Sequence, residues 1–269
     1  MGYVETVVLA VIQGLTEFLP VSSSGHLVLA QHWFGQVGEI NLLYDVMLHL
    51  ATVTAIILYF RQDLLTLVKG YFGLGTGTGS MFQGCERQTV HYVILASIPT
   101  AIFGLGIESI GFSTLAQPSV VAVMFLVTGV VLWLGRGARA SRSAKEMKPW
   151  DALVIGLIQG VAVFPGISRS GSTIAGGMFL GLDRELAARF SLLISIPAIC
   201  GATLLEVVKA FGQTQEPIGT YILGMVVAAV VGYWSIAVIL RLVRQNHFHY
   251  FSYYLWPLGI SILLWGALR

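Results

Sequence analysis

Residues 13–26, QGLTEFLPVSSSGH, place a carboxylate, a proline, three consecutive serines, a glycine and a histidine inside otherwise apolar sequence. Neither a globular core nor a lipid-facing helix keeps such groups without partners, because an unpaired polar group away from water is costly. A second stretch, residues 159–172, reads QGVAVFPGISRSGS. A shift of 146 positions superposes Ile12, Gln13, Gly14, Phe18, Ser22, Ser24 and Gly25 on Ile158, Gln159, Gly160, Phe164, Ser168, Ser170 and Gly171. The copies diverge where chemistry would reside: Glu17 aligns with Val163, Ser23 with Arg169 and His26 with Ser172. One ancestral unit has been doubled, and each half has kept different polar groups.

The surroundings are those of a membrane protein. The chain has 269 residues, of which 56% are hydrophobic and 10% charged, against about 25% charged in a typical soluble domain. A net charge of +2, with no basic stripe interleaved with aromatics, argues against nucleic acid as a partner. Cys200 lies in an apolar segment and Cys85 in a polar one, so neither a disulfide nor redox chemistry is expected. The N-terminus lacks a basic n-region, and its apolar stretch runs into the polar motif, so no cleavable signal peptide is expected.

Crossing the hydrocarbon takes about 20 mostly apolar residues. Residues 3–12 and 27–34 are each too short, and read as the two half-helices of a re-entrant hairpin. Spans follow at 42–60, 90–107 and 118–135, with a glycine-rich and flexible loop at 61–88. A basic linker over 136–149 leads to a second hairpin at 150–181, then spans at 186–208, 217–240 and 250–268. The expected fold is all-α and integral to the membrane. It is one domain over 1–269 with six full spans, built from repeat one (1–136) and repeat two (150–269). A hairpin plus three spans ends on the opposite side from its start, so the second repeat is inverted about a pseudo-two-fold axis in the membrane plane. The two polar turns then meet near the midplane.

Charge sets the orientation. Twelve basic residues (Arg61, Lys69, Arg87, Arg136, Arg139, Arg142, Lys145, Lys148, Arg184, Arg189, Arg241 and Arg244) fall on one side, against Lys209 and Arg269 on the other. The positive-inside rule makes the richer side cytoplasmic. Both termini and the mouth of the first hairpin are then expected on the outer face.

Gln13 and Glu17, four residues apart, share a face of the first half-helix. Pro20 stops it, and Ser22, Ser23 and Ser24 can cap the next. In the second hairpin Pro165 and Gly166 make the break, and Ser168, Arg169, Ser170 and Gly171 open the following helix. Helix N-termini present N–H groups and a positive dipole end that suit a phosphate. Arg169 adds a bidentate fork for phosphate or carboxylate. A lone arginine at that depth costs roughly 2.5–3.5 kcal/mol on insertion scales, so it requires an anionic partner. These are the parts of phosphoryl chemistry, in which positioning and charge neutralisation do most of the catalysis. Ser23 supplies a hydroxyl. Glu17 supplies a base or a ligand for a divalent cation, Mg²⁺ or alternatively Ca²⁺. His26 supplies an acid or base. The phosphate cradle comprises Ser22, Ser24, Gly25, Ser168, Ser170, Gly171, Ser172 and Thr173.

Structural roles compete with these. Small residues in membrane hairpins also serve close helix packing. Gln13 and Gln159 recur in both copies, so a hydrogen bond between the halves competes with a ligand role. Glu17 and Arg169 alone would form a buried ion pair joining the repeats, and His26 could cap rather than catalyse. Asp45 and His49 are four apart in one span and are expected to pair, with a supporting role behind the site as the alternative. The aromatic run over 247–256 reads as an interfacial belt.

EFLPVSSSGH from Glu17 and PGISRSGST from Pro165 together resemble the undecaprenyl pyrophosphate phosphatase, or bacitracin-resistance, family. The resemblance extends over nearly the whole chain, including YDVMLHLAT from Tyr44. It implies a bacterial inner-membrane enzyme that removes the terminal phosphate of a polyprenyl diphosphate lipid, recycling the carrier for peptidoglycan and conferring bacitracin resistance. It places the family's catalytic glutamate at Glu17, serine at Ser23, histidine at His26 and arginine at Arg169. Many members carry glutamate where this chain has Gln13, so an ExxxE metal pair becomes QxxxE here. A lipid-phosphate transporter or flippase is the competing reading, since inverted repeats with broken helices are transporter architecture. It has little use for a Glu–Ser–His set in one copy only. A channel fits poorly, because no span carries a ring of charge. Membrane lipid is the expected surrounding, and a homodimer is compatible with such a chain.

Overall fold

The computed structural model describes residues 2–34, 42–74, 80–108, 115–209 and 217–268. Residues 75–79 of the glycine-rich loop, and Arg269, lie outside these. Among the described residues the chain is helical: α1 Tyr3–Thr16, α2 Ser23–Trp33, α3 Leu42–Tyr59, α4 Arg61–Tyr71, α5 Glu86–Glu108, α6 Pro118–Gly135, α7 Pro149–Val161, α8 Arg169–Phe179, α9 Arg184–Lys209, α10 Ile218–Arg244 and α11 Ser252–Ala267. Two 3-10 turns, Ala144–Glu146 and Phe248–Phe251, complete it.

Among the described residues four helices are long and apolar enough to cross a membrane, over Glu86–Ile107, Pro118–Gly135, Arg184–Val208 and Ile218–Arg244. The α3–α4 pair, bent by 74°, makes a fifth candidate. The protein is therefore a multi-pass membrane protein. The two apolar helices α1 and α7 have only 14 and 13 residues. Each turns back through a polar break into an 11-residue partner, α2 or α8. The expected span at 250–268 becomes the 16-residue α11, about 24 Å at 1.5 Å per residue. The 3-10 turn Phe248–Phe251 takes up its expected first residues, Tyr250 and Phe251.

One expectation about connections is corrected. The flexible loop at 61–88 begins instead with the ordered helix α4. That helix buries Asp63, Thr66 and Leu67, an i, i+3, i+4 face. The period was obscured because two of those three residues are polar. Asp63 is satisfied by Arg189 at 2.6 Å and by the Ser80 hydroxyl at 2.7 Å. The basic linker over 136–149 is tied down by its own side chains. Arg142 donates to both Asp151 oxygens, at 3.3 and 2.7 Å, and to the carbonyls of Leu180 and Glu146, at 2.7 and 2.6 Å.

Packing interleaves the two halves. The first hairpin's α1 lies along α10, and the second hairpin's α7 lies along α5. Helices α6 and α11 pack together, and α3 sits between α9 and α10. Small residues permit the close contacts. A Cβ on Gly14 would lie 2.8 Å from the Ala228 carbonyl oxygen, and one on Gly160 would lie 2.7 Å from Phe103 Cβ. These two glycines are the same position in the two copies, and each seats its hairpin on a helix of the other half.

Candidate active site

The two broken helices meet at their turns. Ser22 caps α2, its Oγ accepting from the Gly25 N–H at 3.3 Å, and Ser168 caps α8, its Oγ accepting from the Gly171 N–H at 3.1 Å. Each cap hydroxyl also lies 3.3 Å from the hydroxyl two residues on, Ser24 or Ser170. Ser22 sits at φ 72°, a sparsely populated region for a non-glycine residue. It is pinned there from the other half, since its Oγ also accepts from the Gly166 N–H at 3.1 Å. Ser170 Oγ donates to the Leu19 carbonyl at 3.3 Å, returning the cross-link. Thr128 of α6 donates to the Gly166 carbonyl and accepts from the Ser168 N–H, both at 3.1 Å. The turns are thus locked together by their own serines.

This lock brings Arg169 to Glu17. The guanidinium Nη2 donates to Glu17 Oε1 across the interface between the hairpins. Glu17 is 6% exposed, so the arginine's anionic partner is a buried carboxylate. Glu17 Oε2 accepts from the Ser23 hydroxyl at 2.6 Å and from Gln13 Nε2 at 3.0 Å. His49 Nε2 stands 3.7 Å from the same oxygen. One carboxylate therefore collects an arginine, a hydroxyl, an amide and an imidazole from α1, α2, α3 and α8.

His26 belongs to the same turn but not to the same hydrogen-bond set. Its Nδ1 lies 2.8 Å from the Ser22 carbonyl oxygen and its Nε2 2.8 Å from Tyr254 Oη. Thr173 donates to the Arg169 carbonyl at 2.8 Å, and its hydroxyl lies 2.5 Å from that of Ser191. Ser172 and Thr173 are both buried. A Cβ on Gly25 would meet the Phe125 ring at 2.7 Å, so this glycine is where α6 approaches the turn.

Sequence spacing missed several partners. Asp45 and His49 do not pair through their side chains. Asp45 takes the Gln31 amide on both oxygens, at 3.0 and 2.9 Å. His49 Nδ1 lies instead 2.8 Å from the Asp45 carbonyl, which leaves its Nε2 aimed at Glu17. Tyr254 was hidden in the aromatic run, of which His249, Tyr253 and Trp256 cluster around Trp133. Gln159 has no carboxylate beside it, since Val163 replaces Glu17. It donates to Thr100 Oγ1 at 3.1 Å and to the Ile194 carbonyl at 3.3 Å, a structural bond between the halves.

Among the described residues no group of three or more His, Cys, Asp or Glu side chains could hold a metal ion. The donor set does fit a divalent cation shared with a diphosphate. Mg²⁺ is commonly bound through one or two carboxylates plus substrate phosphates. Glu17 supplies the carboxylate, and the Gln13 Oε1 atom beside it is buried with no hydrogen-bond partner.

Known proteins converge on one family. The family model described as bacitracin resistance protein BacA matches residues 6–261. A protein of Desulfosudis oleivorans, named undecaprenyl-diphosphatase, is 44% identical over 284 residues, with 100% of each chain covered. Similar proteins of the same name occur in Desulfatibacillum aliphaticivorans, at 41% identity over 98% of this chain and 99% of the relative, and in Alkaliphilus metalliredigens, at 37% over 98% of each. With full-length relatives and a family model spanning both hairpins, the chain belongs to the bacitracin resistance protein BacA family.

Proposed function

We infer that this protein is an undecaprenyl-diphosphatase, a membrane phosphatase that removes the terminal phosphate of undecaprenyl diphosphate and returns undecaprenyl phosphate to cell-wall synthesis. The observation that carries the reading is the Glu17 carboxylate bonded on one oxygen to Arg169 and on the other to the Ser23 hydroxyl. An anion clamp and a polarised nucleophile converge on one point. A lipid transporter needs the clamp but not the hydroxyl aimed at a carboxylate.

In the proposed reaction Arg169 and the α2 and α8 N-termini hold the diphosphate. Ser23 Oγ attacks the terminal phosphorus and its proton passes to Glu17 Oε2. The bond from that phosphorus to the bridging oxygen breaks, and undecaprenyl phosphate leaves. Water then attacks the phosphoserine, releasing inorganic phosphate and restoring the hydroxyl. His26 serves as acid or base at the leaving oxygen or the water. Ser22, Ser24, Ser168 and Ser170 shape the cradle through the caps they form. Those caps take the Gly25 and Gly171 N–H groups, and the Ser168 carbonyl takes the Ser172 N–H. The first turns around Gly25, Gly171, Ser172 and Thr173 therefore act on the diphosphate through the positive ends of the helix dipoles. Glu17 and Gln13 Oε1 would hold Mg²⁺ or Ca²⁺ together with the substrate, and the cation would neutralise charge on the phosphoryl oxygens.

We read the architecture as two inverted repeats in a bacterial inner membrane. The equivalent caps of Ser22 and Ser168 and the reciprocal α1–α10 and α7–α5 packing support this. The twelve-to-two distribution of basic residues favours termini and site on the outer face.

The test is phosphate release from undecaprenyl diphosphate by purified protein in detergent, with Mg²⁺ or EDTA. Glu17→Ala, Ser23→Ala and Arg169→Ala, each verified as folded, should lose release by at least about a hundredfold. A well-folded wild type that releases no phosphate, but moves lipid phosphate in vesicles, would make the protein a transporter instead.

A further inference from the structure

His26 is held at both ring nitrogens, and the two contacts have different chemistry. The Ser22 carbonyl, 2.8 Å from Nδ1, can only accept, so Nδ1 carries the proton. In the neutral ring Nε2 is then a lone pair, and the group 2.8 Å from it is the Tyr254 phenol. The phenol O–H donates. This tautomer is the one that a free imidazole in water disfavours, so the protein imposes it.

The contact is set by the scaffold. Tyr254 lies 228 residues from His26, on α11. That helix is fixed to α6 on either side of it: Ser252 Oγ donates to the Gly129 carbonyl at 2.7 Å and Trp256 Nε1 to the Leu126 carbonyl at 3.3 Å. The imidazole lies nearly parallel to the Tyr254 ring, at 13°, and its other neighbour is Phe125, with centroids 5.0 Å apart. Tyr254 is 48% exposed, so its ring adds little to the core. What it contributes to the site is the hydroxyl.

We propose that Tyr254 is a positioning residue for the phosphatase reaction, fixing His26 as the Nδ1–H tautomer and keeping its Nε2 lone pair unprotonated until the group that gives up its proton displaces the phenol. The proposal rests on the reading of His26 as acid or base in a diphosphatase. Tyr254 acts through His26 and need not touch substrate. A histidine that can rotate or switch tautomer spends part of its time unable to take a proton at Nε2, so losing the phenol lowers turnover rather than substrate affinity.

The experiment pairs spectroscopy with kinetics. Protein labelled with ¹⁵N-histidine is studied by NMR in detergent, with the His26 signals assigned by their loss in His26→Ala. Wild type should show a protonated Nδ1 and an unprotonated, hydrogen-bonded Nε2. Tyr254→Phe should shift the Nε2 signal and pass part of the protonation from Nδ1 to Nε2, drawing the two nitrogen signals together. Its kcat should fall by about tenfold, the upper range for one neutral hydrogen bond, with KM for the lipid unchanged. In a His26→Ala background Tyr254→Phe should cost nothing further. A protonated Nε2 in neutral wild-type His26 overturns the proposal without any variant. So does a Tyr254→Phe enzyme as fast as wild type or faster, or a full additive loss in the double variant. Wild type that releases phosphate while His26→Ala does so equally well also overturns it, yet leaves the diphosphatase reading intact. Absence of release from folded wild type defeats that reading instead, and the nitrogen signals then decide the contact alone.

Discussion

Glu17→Gln removes a charge while keeping the volume and most of the hydrogen bonds. Ser23 and Gln13 still find an amide group at 2.6 and 3.0 Å. Arg169, whose side chain is 17% exposed, is left as an uncompensated cation between the hairpins. Breaking a buried ion pair from one side costs about 3–5 kcal/mol, and the residual exposure of the arginine sets the expectation near about 3. For a chain of this size that is a fall of about 6–12 °C in melting temperature. Glu17→Gln/Arg169→Met removes the stranded charge too and should recover most of the loss, because replacing a whole buried pair is often neutral or better. Both variants should lose phosphate release by at least about a hundredfold. Melting followed by tryptophan fluorescence in one detergent compares the three proteins. Melting of Glu17→Gln with wild type, or a double variant no more stable than the single, would refute the buried-charge argument.

Three further outcomes follow from the same geometry. Gly166→Ala forces a Cβ to within 2.6 Å of both Met124 Cβ and the Val121 carbonyl at φ 94°; it should cost about 2–4 kcal/mol from overpacking and backbone strain, and should lower both melting temperature and phosphate release by displacing the Ser22 contact. Arg142→Ala strands Asp151, which is 4% exposed, and should cost about 3 kcal/mol, while the rate per folded molecule stays near wild type because the linker is remote from the phosphoryl site. EDTA should stop phosphate release yet move the melting temperature by less than about 1 °C, because without diphosphate the protein offers a cation little more than one carboxylate already paired with Arg169.

The doubled motif made the hairpins legible, because an apolar stretch too short to span, ending in Pro20 or Pro165, has few alternatives in a membrane. It also made the Glu17–Arg169 meeting legible, since a buried guanidinium demands an anion and the chain offers few at that depth. Periodicity failed at α4, where the buried face carries Asp63 and Thr66 and so looks like solvent-facing loop until Arg189 and Ser80 are placed beside it. It failed also at Asp45 and His49, because four-residue spacing brings two side chains to one face without saying what else reaches that face. Gln31 from α2 takes the carboxylate, and Glu17 from α1 receives the imidazole. Tyr254 could not have been singled out from Tyr250 and Tyr253 by any local signal, since only the packing of α11 on α6 sends one phenol of the three to His26.

The two copies contain a criterion for sorting scaffold from chemistry that needs no other sequence. At the serines and glycines where they agree, the residues do the same work: Ser22 and Ser168 cap, Ser24 and Ser170 meet those caps, and Gly14 and Gly160 seat their helices on the opposite half. Such contacts are demanded by any pair of locked hairpins, whatever reaction they host. Gln13 and Gln159 agree but part company, because only the first has a carboxylate beside it. Where the copies differ, the groups at the junction become complementary: a carboxylate opposite valine, an arginine opposite serine, a histidine opposite serine. Glu17 and Arg169 satisfy one another only because each half lacks what the other supplies, so neither hairpin could form the charged site alone. Two hairpins alike at their caps and unlike at Glu17 and Arg169 thus form an asymmetric centre. A reacting phosphate needs that asymmetry, with a nucleophile on one side and a clamp on the other.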